Sequence, residues 1–98
     1  MTWLPITYRD FHDVPRAFVV QRNGDLYFFD CPFDPAVDDY PDEYTVYRLP
    51  EEFARDKDHI PWDNPSASGK VVGRLPIAAV RLDPSKRVSV DDRIFELL

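Results

Sequence analysis

The chain has 98 residues, of which 44% are apolar and 14% aromatic, so it is long and apolar enough to form one domain with a hydrophobic core. This composition excludes a disordered chain, and no run reaches the ~18 apolar residues of a membrane span. The N-terminus lacks the basic start and apolar segment of a signal peptide, and the single Cys31 cannot form an internal disulfide. We therefore expect a cytoplasmic protein with no membrane partner.

The net charge of −6 is concentrated in the middle of the sequence. Residues 23–63 contain twelve acidic and three basic residues, whereas residues 1–22 carry a net charge of +1 and residues 64–98 a net charge of +2. Because an acidic segment repels phosphate backbones, we expect no nucleic-acid partner. The segment is interpreted either as a solvated face that confers solubility or as a surface for a cation or a basic protein.

The N-terminal residues 1–15 predict a short strand near Trp3–Tyr8, followed by a turn at Arg9–Asp13. Pro15 favours an extended conformation for Val14 and so leads into the next strand.

The Asn23-Gly24 dipeptide predicts a type I′ β-hairpin, since this turn needs positive φ at both central positions. It lies between two apolar runs, Ala17–Gln21 and Leu26–Phe29. Counting outward from the turn, the predicted cross-strand pairs are Arg22–Asp25, Gln21–Leu26, Val20–Tyr27, Val19–Phe28 and Phe18–Phe29. Because apolar pairs lie on both faces of this ribbon, we expect other parts of the chain to cover it on both sides.

After Cys31, three prolines predict a surface loop over residues 32–43, because proline cannot donate a hydrogen bond within a sheet. Tyr44–Leu49 has the composition of a strand and is the predicted third strand. Pro50 followed by two acidic residues indicates a short helix over residues 50–57, which we expect to lie across a barrel end.

Residues 58–69 predict a second loop with Ile60 and Trp62 turned inward, since exposed together they would form an apolar patch. Lys70–Leu75 and Ile77–Leu82 have strand composition, with an interruption at the proline between them.

The C-terminal part begins with Asp83-Pro84-Ser85-Lys86, which favours a type I turn, after which Arg87–Val90 is expected to return as a strand. Apolar residues then recur at helical spacing over residues 90–98. Ser89 and Asp92 together resemble a capping box. A terminal helix is therefore predicted, with a strand as the alternative.

These elements predict a mainly β fold: a small antiparallel open barrel or roll of five to six strands, with one short helix near residues 50–57 and a possible C-terminal helix. The alternative is an α+β roll in which the terminal helix packs on one sheet face. Residues 1–98 are expected to form a single globular domain, because no repeat or linker divides them.

Cys31 is a candidate catalytic nucleophile, because a lone cysteine in an intracellular chain can have that role. Its thiolate would need a basic neighbour or a helix N-terminus. Arg16, its cross-strand partner in the predicted register, is the one favourable group, whereas Asp30 is unfavourable. The alternative, which we favour, is a small buried hydrophobic residue.

Two histidines lie among carboxylates, His12 near Asp10 and His59 beside Asp58. Such residues suit Mn²⁺, Fe²⁺ or Zn²⁺, but a site needs three or four converging ligands, and aspartates also cap turns locally. A small metal-dependent or thiol enzyme that uses His12, His59 and Cys31 with neighbouring aspartates is the alternative to a binding function.

Acidic and aromatic residues of the middle segment predict a binding groove for a basic or proline-rich peptide. The predicted binding residues are Asp34, Asp38, Asp39, Tyr40, Asp42, Glu43, Tyr44 and Trp62. The alternative is that the aromatic residues pack within a small β core. The acids lack the order and the glycine of an EF-hand loop.

No nucleotide-binding or hydrolase motif is present in the sequence, and these motifs indicate no known family. We therefore expect a non-enzymatic interaction or accessory domain without a cofactor. Its acidic surface, residues 30–63, would face a basic protein or peptide.

Overall fold

The computed structural model describes residues 2–98, in which six antiparallel strands form one sheet. The strands are β1 (Trp3–His12), β2 (Val14–Arg22), β3 (Asp25–Asp30), β4 (Glu43–Leu49), β5 (Lys70–Pro76) and β6 (Ser89–Asp91). Their order is β5-β4-β3-β2-β1-β6, so β5 and β6 are the edges of an open sheet. The predicted mainly β class is confirmed.

The helical segments of the described chain are short. The α-helix α1 is Glu51–Arg55, and the 3₁₀ segments are Lys57–His59, Pro65–Ala67, Ile77–Ala79 and Asp92–Leu97. Pro50 precedes α1 with φ −55°, and the acidic residues of the first turn suit the positive end of the helix dipole. The predicted helix near residues 50–57 is thus present, one turn shorter than expected.

The β2–β3 hairpin forms in the predicted register. Asn23 and Gly24 have positive φ angles of 52° and 85°, as a type I′ turn requires. All five predicted pairs are present, from Arg22 opposite Asp25 to Phe18 opposite Phe29. A tight turn with a unique register assigns every following side chain to one face or the other.

Both faces of the sheet are covered, as expected from the apolar pairs on both faces of the hairpin. One face packs against Ile94 and Phe95 of the C-terminal segment. The other packs against α1, through Phe53, and against Ile60 and Trp62. Full burial of one phenylalanine stabilises a fold by about 1.5–3 kcal/mol, so each cover is energetically substantial. The expectation that α1 crosses a barrel end is wrong, because the sheet is not closed and α1 covers a face.

The N-terminal strand is longer than predicted. It continues through Arg9 to His12, which pairs directly with Val14, and the chain reverses at Asp13 with φ 65°. Aspartate tolerates this left-handed conformation better than most residues, which permits so tight a reversal. The predicted turn at Arg9–Asp13 is therefore wrong in extent.

The predicted strand Ile77–Leu82 does not form. Ile77–Ala79 is a 3₁₀ turn, and Leu82 makes only an isolated bridge to Val90. The strand predicted at Arg87–Val90 lies instead at Ser89–Asp91. Strand composition alone does not supply a neighbouring strand, and β propensity depends on that context.

The predicted C-terminal helix is a 3₁₀ segment, capped by Asp91 rather than by Ser89. The Asp91 carboxylate accepts a hydrogen bond from the Arg93 N–H at 3.0 Å. The segment leaves β6 at one edge and reaches β5 at the other, where a Cβ on Gly73 would lie 2.8 Å from Leu98 Cδ2. It therefore spans one whole face of the sheet. None of the helices within residues 2–98 has the length and apolar character needed to cross a bilayer.

Candidate functional site

A pocket of about 250 Å³ lies between the end of β1, the end of β3, the following loop and Trp62. We call the loop, residues 32–42, the acidic loop. The charged residues that line the pocket are Asp10, Arg16, Asp30 and Asp63, and the aromatic ones are Phe33, Tyr40 and Trp62. Cys31 lines it as well. Four residues proposed from the sequence for chemistry or binding, namely Asp10, Cys31, Tyr40 and Trp62, are therefore brought together here.

Asp30 is the most unusual group of this pocket. It is the last residue of β3, and its strand neighbours are Ala17 on β2 and Thr45 on β4. Burial raises the pKa of its carboxyl to about 6, and no charge or hydrogen bond of the described residues opposes that rise. A half-buried carboxylate without a counter-charge, facing a pocket, can accept a cation from outside the chain.

Trp62 is turned toward the sheet, as predicted, and it forms one wall of the pocket. Its ring lies 5.5 Å from that of Phe28, which anchors it to the sheet. The guanidinium of Arg9 lies 5.0 Å from the centre of the Trp62 ring. Trp62 is thus a rigid, partly exposed surface beside Asp30.

Tyr40 attaches the acidic loop to β1 and β2. The ring of His12 stacks on it with a centroid distance of 5.3 Å, and the guanidinium of Arg16 lies 4.3 Å from its centre. Phe33 approaches the same ring edge-on at 5.3 Å. These contacts place the loop at the rim of the pocket.

Cys31 is at the predicted position opposite Arg16, but its environment does not activate it. The thiol donates to the Pro41 carbonyl at 3.2 Å, and Arg16 Nη1 donates to Sγ at 3.4 Å. Burial raises the pKa of the Cys31 thiol in spite of the arginine. Because the thiolate is the nucleophile, a buried and protonated thiol behaves as a small hydrophobic residue.

The two histidine–carboxylate pairs occupy separate settings. His12 stacks on Tyr40, and its Nε2 lies 4.0 Å from Asp13, while His59 Nδ1 lies 2.6 Å from Asp56 Oδ2. Asp58 is exposed in the same turn as His59, where its N–H donates to Asp56. Within residues 2–98, no three His, Cys, Asp or Glu side chains are grouped so that they could hold a metal ion.

Tyr44 lies in the core rather than at the surface. It is 1% exposed, and its hydroxyl donates to the Pro15 carbonyl at 2.6 Å. Burial also raises the pKa of this phenol. This corrects the placement of Tyr44 on the binding surface, because a buried phenol held by a backbone carbonyl cannot contact a partner.

The remaining predicted binding residues are exposed and lie along the acidic loop or at its end. They are Asp34, Asp38, Asp39, Asp42 and Glu43. The backbones of Asp34 and Asp39 bridge each other, with an N–O distance of 2.8 Å from Asp34 to Asp39. Two apolar side chains, Phe33 and Val37, are also exposed there. The loop therefore presents apolar groups among carboxylates.

Sequence reasoning did not single out Asp30 or Asp63 as site residues. Asp30 could have been found from the alternation of side chains in β3. Leu26 and Phe28 face a core, and Asp30 lies on the same face of the strand. A charged residue at a core-facing position of a strand is an exception that requires a reason. Asp63 offers no such signal, because the loop alone brings it to the pocket.

A larger depression of about 590 Å³ lies beside Asn23 and Gly24, at the far end of the hairpin. Two of its charges pair with each other, since Arg48 Nη2 lies 3.1 Å from Asp25 Oδ1. Glu51, its other carboxylate, pairs with Arg55, so these charges are already satisfied within the chain, which makes the depression the weaker candidate.

Comparisons of this chain with protein-family models, with curated proteins and with solved structures found no match.

Proposed function

We propose that this protein is a non-enzymatic interaction domain of the cytoplasm that binds a basic segment of a protein or peptide. A lysine or arginine side chain of the partner would enter the pocket beside Asp30. The observation that carries the proposal is the half-buried Asp30 carboxyl, which has no counter-charge and shares its pocket with Asp10 and Asp63.

The charges of the pocket favour a cation. Three carboxylates line it against one guanidinium, and Arg16 is already engaged by the His12 carbonyl at 2.9 Å and by Tyr40. A charge-assisted hydrogen bond to Asp30 would contribute about 1.5–3 kcal/mol and lower the pKa of the carboxyl again. Binding would thus relieve an electrostatic cost that the free protein bears.

The acidic loop adds attraction at longer range. Its carboxylates stand at the rim of the pocket, where complementary charge accelerates encounter with a basic partner and is screened by salt. The exposed Phe33 and Val37 offer apolar contact to residues that flank the bound cation.

The alternative of a thiol enzyme has little support. Its nucleophile would be Cys31, whose thiol is enclosed and has a raised pKa.

The experiment is a titration of labelled lysine-rich and arginine-rich peptides by fluorescence anisotropy, with a glutamate-rich peptide for comparison. We expect the basic peptides to bind, more tightly at low salt. Asp30→Asn should raise Kd about tenfold, which corresponds to ~1.4 kcal/mol.

The matched control is Asp58→Asn, which removes the same charge from an exposed turn outside the pocket. It should change Kd by about twofold at most, as expected for diffuse attraction by one surface charge. Equal losses in both variants would contradict a role for the pocket, and absence of binding to either basic peptide would contradict the function.

A further inference from the structure

An exposed patch of aromatic and basic side chains, opposite in charge to the acidic loop, lies at the outer edge of β1. Tyr8 and Phe11 are each 39% exposed, and their ring centres lie 5.7 Å apart. The guanidinium of Arg87 lies 5.7 Å from the centre of the Phe11 ring. Val88 is exposed beside them, and its carbonyl accepts the Ile6 N–H at 2.8 Å. We call Tyr8, Phe11, Arg87 and Val88 the basic aromatic patch.

The described chain covers the side chains of this patch only in part. The edge strand β6 pairs with β1 at Trp3–Pro5, and Val88 extends this contact to Ile6, so in the described chain the outer edge of β1 has no strand beside it over residues 7–12. Lys86 and Arg87 form no ion pair with an acid of residues 2–98. Aromatic and arginine side chains are enriched at protein interfaces, and open strand edges favour association with further chain.

The acidic loop has the complementary chemistry, and it lies at the same end of β1 as the patch. Val37 is 68% exposed and Phe33 is exposed as well, among carboxylates that include Asp42. Tyr40 of the loop stacks on His12, the residue after Phe11 in β1, so the loop lies at the same end of β1 as the patch. A molecule that holds two complementary regions near one end can pair with its own two-fold related copy, because the contact between the two regions then forms twice.

We infer that the acidic loop of a second copy of this chain docks on the basic aromatic patch, in a two-fold symmetric dimer. Phe33 and Val37 of one copy would pack against Tyr8 and Phe11 of the other, with Arg87 facing the loop carboxylates. The inference goes beyond the proposed function, since it shares the acidic loop with that function, including Phe33 at the pocket, but does not depend on Asp30.

The test is sedimentation velocity over a range of protein concentrations, at low and high salt, with two charge-reversed variants. Arg87→Asp reverses the patch, and aspartate suits the positive φ of 59° at this position. Asp42→Arg changes the net charge of the loop from −4 to −2, at an exposed side chain that forms no ion pair within residues 2–98. Each variant alone should raise the dimer Kd about tenfold or more, because an attraction becomes a repulsion at both contacts. In Arg87→Asp the new aspartate faces the loop carboxylates, and in Asp42→Arg the new arginine faces Arg87.

An equimolar mixture of the two variants should form a dimer again. In the mixed dimer the aspartate at position 87 of one variant meets the arginine at position 42 of the other, and the second contact is that of the unaltered protein. Asp58→Arg makes the same charge change as Asp42→Arg outside both surfaces and should dimerise like the unaltered chain. Val37→Ser, an uncharged change at an exposed position, should also weaken the dimer without affecting the fold.

Three outcomes would overturn the inference. The first is an unaltered chain that stays monomeric at every concentration at low salt, even if its patch binds an acidic peptide. The second is a dimer that all the variants form equally well. The third is a mixture that associates no better than either variant alone. None of these bears on Asp30, so peptide binding at the pocket is tested separately.

Discussion

Asp30 is a charged residue at a strand position where the fold otherwise places apolar residues. It stands on the core-facing side of β3, and burial raises the pKa of its carboxyl from 3.8 to about 6. Between these two pH values the folded state binds more protons than the unfolded state, so stability must fall as the pH rises. At neutral pH the ionised carboxylate therefore destabilises the free protein.

Asp30→Asn should consequently stabilise the protein above pH 6 and leave its stability almost unchanged near pH 4. We expect a gain in unfolding free energy of about 1 kcal/mol at neutral pH. This is well below the free energy that corresponds to the full pKa shift, because solvent screens a half-exposed group. Urea denaturation of both proteins over this pH range measures the difference. A difference that does not change with pH would contradict the raised pKa.

The pH dependence of peptide binding follows from the same residue. A protonated Asp30 offers a cation no charge, so affinity for a basic peptide should fall as the pH drops through about 6. Anisotropy titrations at several pH values measure this loss. In Asp30→Asn the weaker residual affinity should be nearly independent of pH in that range. If the variant instead lost affinity with falling pH just as the unaltered protein does, another group would be responsible.

At the scale of single elements, the β2–β3 hairpin depends on its turn. Gly24 has a φ of 85°, and a Cβ added there would meet nothing within 4 Å, so only the backbone conformation opposes a side chain. Gly24→Ala should cost about 1–2 kcal/mol of unfolding free energy, as expected for a left-handed conformation of an ordinary residue. Denaturant unfolding measures the loss.

Gly24→Asn is the matched control for that change. Asparagine tolerates positive φ, so it should cost clearly less than alanine although its side chain is larger. Alanine and asparagine variants of equal stability would show that the turn does not need its type I′ geometry.

At the scale of the whole molecule, the C-terminal segment joins the two edges of the sheet by covering one face. Phe95 is buried against Tyr27 and Phe29, with ring distances of 4.9 and 6.2 Å. Phe95→Ala should lower the unfolding free energy by about 3–5 kcal/mol, because it leaves a cavity over the sheet. Leu97, 59% exposed in the same segment, is the control, and Leu97→Ala should cost no more than about 0.5 kcal/mol. Equal effects of the two changes would mean that the segment does not cover the core.

Success and failure of prediction differ with the range of the interactions involved. The hairpin register was predictable because Asn23 and Gly24 set it locally. The long β1 and the absent strand at Ile77–Leu82 were not, because pairing depends on which strands lie alongside. Of the residues that line the candidate site, Asp10, Cys31, Tyr40 and Trp62 were proposed from the sequence. Asp30 and Asp63 were not, because parts of the chain distant in sequence bring them together.

By itself, the sequence determined the turn at Asn23-Gly24, the two apolar faces of the hairpin, the proline-rich loop and the acidic middle segment, since each depends on neighbouring residues. Only the tertiary structure decided which groups are buried. It placed Tyr44 and Cys31 inside, and it left Asp30 half-buried without a counter-charge. The physical reason is that desolvation and charge pairing are set by residues that meet only after the strands have assembled.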